Sequence, residues 1–391
     1  MEIYRVGGCV RDELLGKTPS DVDYCVVGSN HEEMTSLGFK CVGNSFPVYL
    51  HPETGEEYAL ARTEARTSVN GFEFLTEAVS LEKDLLRRDL TINAIAMDSE
   101  GNIIDPYNGC RDLAEGVLRP VSKAFMEDPL RILRVARFAC TIVGHWRIDP
   151  VLKEYASQMD YSKIPKERVY KEASKVMRSE KPSVFFRTLD ELNVLRTFFP
   201  QLWVMKHVKH DSPSHREGSV FNHTMMVVDR AKTVEGRWAS LFHDVGKVPC
   251  KAMTGSFHGH SDAQWCDPEL QVIESYGLSR NELKIVRYVM LKHHQWHNVI
   301  DGSITDKKML ELLLDIREEN TLNSITDAVY AGTLGCYGTK KPIVFSRYQV
   351  WYLWKDLKAH KTDCQGLDVE QIKQKVYREK LNLLRELLKE L

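Results

Sequence analysis

Residues 7–27 hold Gly7-Gly8-Cys9-Val10-Arg11-Asp12, then, nine residues past Asp12, Asp21-Val22-Asp23, then the apolar run Cys25-Val26-Val27. Successive side chains on a strand point to opposite faces, so an extended 21–27 segment places Asp21 and Asp23 on one face and Val22 in the core. Two neighbouring carboxylates repel each other unless a cation lies between them. That is the arrangement of a two-metal phosphoryl or nucleotidyl transfer site. The paired glycines let a backbone turn come close to phosphates, and the segment after them reads as a helix start whose N–H groups face an anion. Arg11 adds a permanent, forked positive charge. Taken singly, Asp-x-Asp and Gly-Gly are common in solvated turns. Their order, with the strand immediately after, is what carries the reading.

A chain of 391 residues is long enough for two to four domains with well-filled cores. With 28% charged residues and a formal net charge of -2 there is no global basic field, so a nucleic-acid partner has to be held by a local patch. Nine cysteines without a Cys-x-x-Cys pair argue against a zinc ribbon or a disulfide framework and fit a reduced, cytoplasmic setting. The segment Met1–Val6 lacks the apolar core of a signal peptide, and no run is long enough to span a membrane.

The class expected is α+β, a small N-terminal α/β sheet domain followed by an all-helical body. Short strand signals fall at Ile3–Val6, Val22–Val27, Phe46–Leu50 and Tyr58–Ala61, and Asn93–Met97 reads as helix or strand. From Leu113 the apolar spacing becomes helical. Leu130, Leu133, Ala136 and Cys140 follow it, as do 166–177 and 183–199, with Pro165, Pro182 and Pro200 at the boundaries. The division expected is a head over 1–115, a helical neck over 116–205, a histidine-bearing helical domain over 206–335 and a helical tail over 336–391. The stretch Val369–Leu391 reads as a packed amphipathic helix with a solvated face.

Two further clusters carry chemistry. In Arg87-Arg88-Asp89-Leu90-Thr91-Ile92-Asn93-Ala94, Arg88 is a candidate phosphate clamp. In Glu127-Asp128-Pro129-Leu130-Arg131-Ile132-Leu133-Arg134-Val135-Ala136-Arg137, three-residue steps put Asp128, Arg131 and Arg134 on one helical ridge, with Arg137 continuing it. One reading is a run of intrahelical ion pairs. The other is an acid and an arginine offered to the edge of a base, the carboxylate accepting from an exocyclic amine and the guanidinium donating to a ring nitrogen or carbonyl.

In order and spacing these motifs, with Tyr58-Ala59-Leu60-Ala61-Arg62-Thr63-Glu64 and Asp105-Pro106-Tyr107-Asn108-Gly109 between them, resemble the class II tRNA nucleotidyltransferases (bacterial CCA-adding enzymes) and the related bacterial poly(A) polymerases. The resemblance implies that Asp21 and Asp23 hold catalytic Mg²⁺. It implies that Gly8 and Arg11 contact the incoming CTP or ATP, and that Arg88, Arg134 and Arg137 complete the nucleotide site. Asp128 and Arg131 would be the protein template that accepts C or A and rejects G and U, and Thr67–Phe74 a flexible loop used in the switch from C to A. The tRNA 3′ end would lie along the helical part, held through backbone and shape.

Ten of the fourteen histidines lie between His207 and His297. Imidazoles with a carboxylate suit a divalent transition metal. His223, followed by His243-Asp244-Val245-Gly246-Lys247, resembles the HD phosphohydrolase superfamily. One long bacterial branch of CCA-adding enzymes carries such a domain as a phosphatase and 2′,3′-cyclic phosphodiesterase. The resemblance makes His223, His243 and Asp244 ligands of Ni²⁺, Co²⁺ or Mn²⁺, and gives His258, His260 and His293 to a second ion or a phosphate. It departs in Ala331-Gly332-Thr333-Leu334-Gly335-Cys336, where that branch has Ala-Asp-x-x-Gly-Arg. The acid is missing at Gly332, and Asp327, about a turn earlier, is the candidate substitute.

The expectation is thus a cytoplasmic, monomeric or homodimeric enzyme that adds or repairs the 3′-terminal CCA of tRNA from CTP and ATP, with a secondary hydrolase. The alternatives are a poly(A) polymerase or an A-only or C-only adding enzyme, a non-catalytic tRNA binder, and a pure phosphohydrolase.

Overall fold

Cys25 and Val26, adjacent on one strand, are buried on opposite faces of a sheet, and this double burial makes the N-terminal sheet the inner layer of its unit. Cys25 packs with Val6, Leu85, Ala94 and Ala96, and Val26 with Met34, Tyr49, Tyr58 and Leu60. The computed structural model describes residues 1–391 except 43–46, 68–70, 76–78, 143, 213–214 and 336–341, with backbone only for 63–67, 71–75, 211–212 and 215. The first nine strands, all in the first unit, are β1 (Glu2–Val6), β2 (Asp23–Val27), β3 (Lys40–Val42), β4 (Val48–Leu50), β5 (Glu57–Leu60), β6 (Thr63–Thr67), β7 (Gly71–Leu75), β8 (Ala96–Met97) and β9 (Ile103–Ile104). Seven of them form one mixed sheet in the order β3-β4-β5-β2-β1-β8-β9. Central β2 pairs antiparallel with β1 (Tyr4↔Cys25) and parallel with β5 (Asp23↔Glu57).

Four local readings change. Pairing of β2 begins at Asp23 and Asp21 sits in the bend before it, so strand alternation does not extend back to Asp21. Of the segment expected as a loop, Thr67 ends β6 and residues 71–74 belong to β7, in an antiparallel ladder with the register Glu64↔Phe74 and Thr67↔Gly71, and 68–70 lie outside the described residues. The segment Asn93–Met97 divides into the end of a 3₁₀ turn (Thr91–Asn93) and β8. Strand β4 starts at Val48, and Phe46 lies outside the described residues.

The chain forms two compact units, one of Met1–Ile164 with Glu191–Asn193, the other of Pro165–Asp190 with Val194–Leu391. In the first, the helix Gly8–Leu14 covers the sheet through Cys9 and Val10, which pack on Ile95, Met97 and Val22. The helix Arg131–Thr141 buries Ile132, Leu133, Val135, Ala136 and Phe138. In the second, the helices Val220–Arg230, Val234–Phe242, Arg280–Ile300 and Glu319–Leu334 pack on one another. Proline sets helix starts as expected, with Pro165 capping Lys166–Val176 and Pro200 opening Pro200–Met205. The last helix, Val369–Glu390, starts with a capping box at Asp368 and Gln371 and buries Leu381, Leu384 and Leu387, the packed amphipathic helix its pattern describes. Among the described residues no helix is long and apolar enough to cross a membrane.

Candidate active sites: an aspartate–arginine face and a histidine cluster

Gly7 turns the chain from β1 into the first helix with φ +79°, and its N–H donates to the Ile95 carbonyl at 3.1 Å. A Cβ at this position would lie 2.6 Å from Arg88 Nη1, so the bare glycine is what admits the Arg88 guanidinium. Asp23 and Arg88 line one cavity of about 200 Å³ with Asp84, Arg87 and Arg62. Asp23 is exposed by area, yet partial burial pushes its carboxyl up, with Arg88 opposing and the like charge of Asp21 adding to the rise. The two carboxylates therefore share an electrostatic site although only Asp23 is on the strand. This is an all-oxygen donor set of the kind Mg²⁺ takes. Asp21 accepts from Ser20 Oγ at 3.0 Å.

The arginines are held by acids that the sequence reading left unassigned. Asp84, at the base of the cavity, pairs with Arg87 (2.9 Å) and Arg88 (3.4 Å). Arg11 is 8% exposed, donates to Asn93 Oδ1 at 2.7 Å and pairs with Asp12 at 2.7 Å. Asp89 Oδ2 accepts from Arg134 Nε at 2.7 Å, while its Oδ1 accepts from Leu90 N and Asn93 Nδ2 at 2.9 and 3.0 Å. Burial opposes ionisation of Asp89, but Arg134 and these hydrogen bonds outweigh it and hold the carboxyl down at about 2. Asn93 thus joins Asp89 to Arg11, and Asp89 joins Asn93 to Arg134. The guanidinium carbons of Arg11, Arg134 and Arg137 lie 5.3, 5.3 and 4.2 Å from the Phe138 ring centroid, which gathers three cations on one aromatic ring.

Asp128 is the correction here. It precedes the helix in an extended conformation (φ -119°, ψ 102°), so it does not share a helical ridge with Arg131 and Arg134. Its Oδ1 accepts from Leu130 N at 3.0 Å, and its carbonyl accepts from Arg131 N. The proline at 129 favours the extended conformation of the residue before it, which is why the helix starts two residues later. Arg131 Nη1 donates to the Ala124 carbonyl at 2.8 Å. Gly8 is the first helical residue, where a Cβ would come no closer than 3.7 Å, to Arg11 Nη2.

In the second unit the expected residues converge. His223 comes from the helix Val220–Arg230, His243 caps Val234–Phe242, and Asp244 follows it. These three offer ligand atoms within 4.8 Å of one another, as do His260, His293 and His294, and also His210, Glu217 and His223. Asp244 Oδ2 lies 3.2 Å from His243 Nε2 and 3.6 Å from His223 Nε2. Its Oδ1 lies 3.1 Å from His260 Nε2 and 3.6 Å from His293 Nε2. Lys247, three residues on, donates to Asp244 at 2.7 Å and lies 3.2 Å from His210 Nε2. Burial works against the Asp244 carboxylate, but His243, Lys247 and hydrogen bonds keep it well below the usual range. Burial pushes His223 and His294 down to about 4, His297 to about 3, and His293 well below its usual value, so these rings are neutral and able to ligate at pH 7.

One geometry tests the fit of a metal. The Nδ1 atoms of His260 and His293 face the carbonyls of Phe257 (2.9 Å) and Val289 (3.0 Å), and a carbonyl only accepts. Each Nδ1 therefore carries a hydrogen, and the two Nε2 atoms, which hold lone pairs when the rings are neutral, face each other at 3.2 Å. Lone pairs at that distance need a shared proton or a cation between them, and N/O donors around a carboxylate suit a divalent transition metal. A cavity of about 700 Å³ opens beside them, walled by His210, Lys247, Phe257, His260 and His294. His258 is an exposed residue of that wall, and His294 takes the place expected for it in the cluster.

The expected substitute acid is elsewhere. Asp327 Oδ2 accepts from Lys232 N (2.6 Å), Thr233 N (2.8 Å) and Thr233 Oγ1 (3.0 Å), and its Oδ1 accepts from Arg347 at 2.9 Å. Both oxygens serve to tie helices together and neither is offered to the histidines. A Cβ at Gly332 would meet His297 at 3.5 Å, and His297 Nδ1 lies 3.0 Å from Thr333 Oγ1. Cys336 lies outside the described residues.

The reading from sequence missed Asp84, Asp89, Asn93 and Phe138 as organisers of the first site, and Glu217, Lys247 and His294 in the second. Asp89 and Asn93 stood inside a quoted motif at helical spacing, and Lys247 stood three residues after Asp244. Glu217 and Phe138 carried no signal of their own.

A family model described as the poly A polymerase head domain matches residues 3–119, and one described as a probable RNA and SrmB-binding site of polymerase A matches 151–206. The chain is 46% identical over 274 residues to the multifunctional CCA protein of Teredinibacter turnerae, covering 66% of each chain. It is 40% identical over 312 residues to the multifunctional CCA protein of Acinetobacter baumannii strain SDF, covering 77% of this chain and 76% of that one. It spans slightly less than two thirds of the length of the Teredinibacter relative and 63% of one from Pseudomonas fluorescens. Among solved structures, a CCA-adding enzyme in apo form II superposes with TM-score 0.65 at 22% identity over 100% of this chain and 92% of that one. The Thermotoga maritima CCA-adding enzyme complexed with tRNA gives TM-score 0.62 at 19% identity, over 100% and 91%. These likenesses establish the mixed α+β fold with a sheet domain ahead of a mostly helical body.

Proposed function

This chain belongs to the multifunctional CCA protein family, and on that premise we propose that it adds or repairs the 3′-terminal CCA of tRNA from CTP and ATP, releasing pyrophosphate. The observation that carries the reading is the shared electrostatics of Asp21 and Asp23 beside Arg88, with Arg11, Arg134 and Arg137 gathered on Phe138. Asp21 and Asp23 would hold Mg²⁺, which when bound lowers the pKa of the attacking 3′-hydroxyl and neutralises the triphosphate. Gly8 leaves room for the nucleotide beside the first helical turn. Arg11 and Arg88, pre-set by Asn93 and Asp84, orient phosphate oxygens, and Asp89 fixes Arg134 for the same purpose. Asp128 and Arg131 select the base by hydrogen bonding. The head over 1–115 and neck over 116–205 form the transferase, working in the cytoplasm on the tRNA 3′ end as a monomer or homodimer.

The test is incubation of a tRNA lacking CCA with each nucleotide alone and with CTP and ATP together, read at single-nucleotide resolution. Two C additions with CTP and a final A only when ATP is also present are expected. Long A tracts from ATP alone would assign the chain to the poly(A) polymerases instead.

A second activity is supported by the His260–His293 contact. The segment 206–335, followed by the helical tail 336–391, is a metal-dependent phosphohydrolase in which His223, His243 and Asp244 would hold the ion and His260, His293 and His294 would stand at a second position. A bound divalent metal there would activate water and polarise a phosphoester. Lys247 and the adjoining cavity would receive the phosphate. Hydrolysis of 2′,3′-cyclic AMP supplemented with Ni²⁺, Co²⁺ or Mn²⁺ tests this, and no turnover with any of the three would remove the claim.

A further inference from the structure

Four imidazoles point Nε2 at Asp244, and each is steadied from behind through Nδ1. For three of them the anchor is a main-chain carbonyl: Ser240 for His243 (2.7 Å), Phe257 for His260 (2.9 Å) and Val289 for His293 (3.0 Å). His223 is the exception. Its Nδ1 lies 2.9 Å from Glu217 Oε1, with the Glu217 side chain 1% exposed and that of His223 4% exposed. Glu217 comes from the second strand of a two-stranded ladder, Lys209–Ser212 with His215–Ser219, which leads directly into the helix bearing His223.

A neutral carbonyl is enough to orient a ring, as the other three histidines demonstrate. A buried carboxylate is a costly way of doing the same thing unless its charge is used. The charge has a use if a cation sits at Nε2. Accepting from Nδ1–H fixes the tautomer with its lone pair toward Asp244, and the anion makes that lone pair more basic. Both acids, Asp244 and Glu217, are buried with the histidines, and Lys247 pairs with Asp244.

We infer that Glu217 is a positioning residue that makes His223 the most strongly donating histidine ligand of the metal centre. The inference rests on the phosphohydrolase reading. Glu217 does not touch the ion. It lies across the ring from Asp244, and an ion bound among His210, Glu217 and His223 would have to displace the Glu217–His223 hydrogen bond.

The experiment is titration of the full chain, stripped of metal, with Co²⁺ against a competing chelator, followed by the visible d–d absorption. The proteins are wild type, Glu217→Gln and Glu217→Ala, with Asp244→Asn as the ligand-loss control. Imidazole ¹⁵N shifts report the His223 tautomer in the same samples. The expected result is unchanged stoichiometry with Co²⁺ affinity lowered about 10- to 100-fold in Glu217→Ala and less in Glu217→Gln. The His223 Nδ1–H tautomer should be lost only in Glu217→Ala. Apo melting temperatures of Glu217→Gln and wild type separate this from misfolding. Equal affinity in all three, or a whole ion lost with Glu217, overturns the positioning role. Failure of the wild type to bind Co²⁺ removes the phosphohydrolase reading itself.

Discussion

Asp23 is held in conflict: partial burial and Asp21 raise its carboxyl while Arg88 lowers it. A carboxyl whose folded pKa is raised destabilises the fold once pH passes its ordinary value, because ionisation is then easier in the unfolded chain. Asp23→Asn is accordingly expected to raise the melting temperature of the metal-free protein at pH 7, to cut CTP incorporation at least ~100-fold as a lost metal ligand, and to leave tRNA affinity nearly intact. Near-normal turnover in Asp23→Asn and Asp21→Asn would refute their role. Asp89 has the opposite sign. Its carboxyl at about 2, against about 3.9 unfolded, contributes on the order of 2–3 kcal/mol above pH 4, toward the low end because the Arg134 side chain is 38% exposed. That contribution is lost as pH falls from about 4 to 2. Urea unfolding of wild type and Asp89→Asn should therefore differ at pH 7 and converge near pH 2. A gap independent of pH would show that the Asp89–Arg134 pair is not its source. Asp21, Asp23, Arg11 and Arg88 were legible in sequence because each is of a residue type the chemistry demands. Phe138 was not, since an aromatic four residues after one arginine and next to another is ordinary core until the fold brings Arg11 to it.

The turn at Gly7 and the tie at Asp327 show what elements require. Gly7→Ala sets a side chain at φ +79° and places a Cβ 2.6 Å from Arg88 Nη1. The expected cost is about 1–3 kcal/mol of stability, with Arg88 displaced and KM for CTP raised in steady-state kinetics more than kcat is lowered. Asp327 receives three donors around Thr233 and one from Arg347, so it joins the start of the helix Val234–Phe242 to Glu319–Leu334 and to Arg347–Ala359. Asp327→Ala should lower stability by about 3 kcal/mol through buried donors left unmet, while the folded variant keeps its full metal stoichiometry by elemental analysis. Loss of metal without loss of stability would restore Asp327 as a ligand. Helical spacing located the arginine helix but not its first residue. Pro129 holds Asp128 extended, and a side chain there reaches in a direction that three-residue spacing does not describe.

At the scale of the whole molecule the two chemistries stand on separate units, the aspartates and arginines in the first and the histidines in the second. Asp244→Asn is expected to abolish metal-dependent hydrolysis of 2′,3′-cyclic AMP and leave CTP and ATP incorporation within about twofold, with Asp23→Asn doing the reverse, as for centres that share no side chain. Loss of both activities in either variant would contradict two independent centres. The sequence by itself determined the class of the fold, the order of sheet before helices, and which acids, arginines and histidines are candidates for chemistry. Those properties depend on periodicity and on side-chain type, and both are local. Pro129 already stood in the sequence as the local reason that Asp128 leaves the ridge, whereas only the tertiary structure decided that Asp21 stands off the strand and that Asp327 is a tie instead of a ligand. It also decided that Glu217 stands behind His223. These depend on where backbone pairing begins and on which groups surround a carboxylate, and the partners come from residues distant in the chain or from the way a short hairpin folds back.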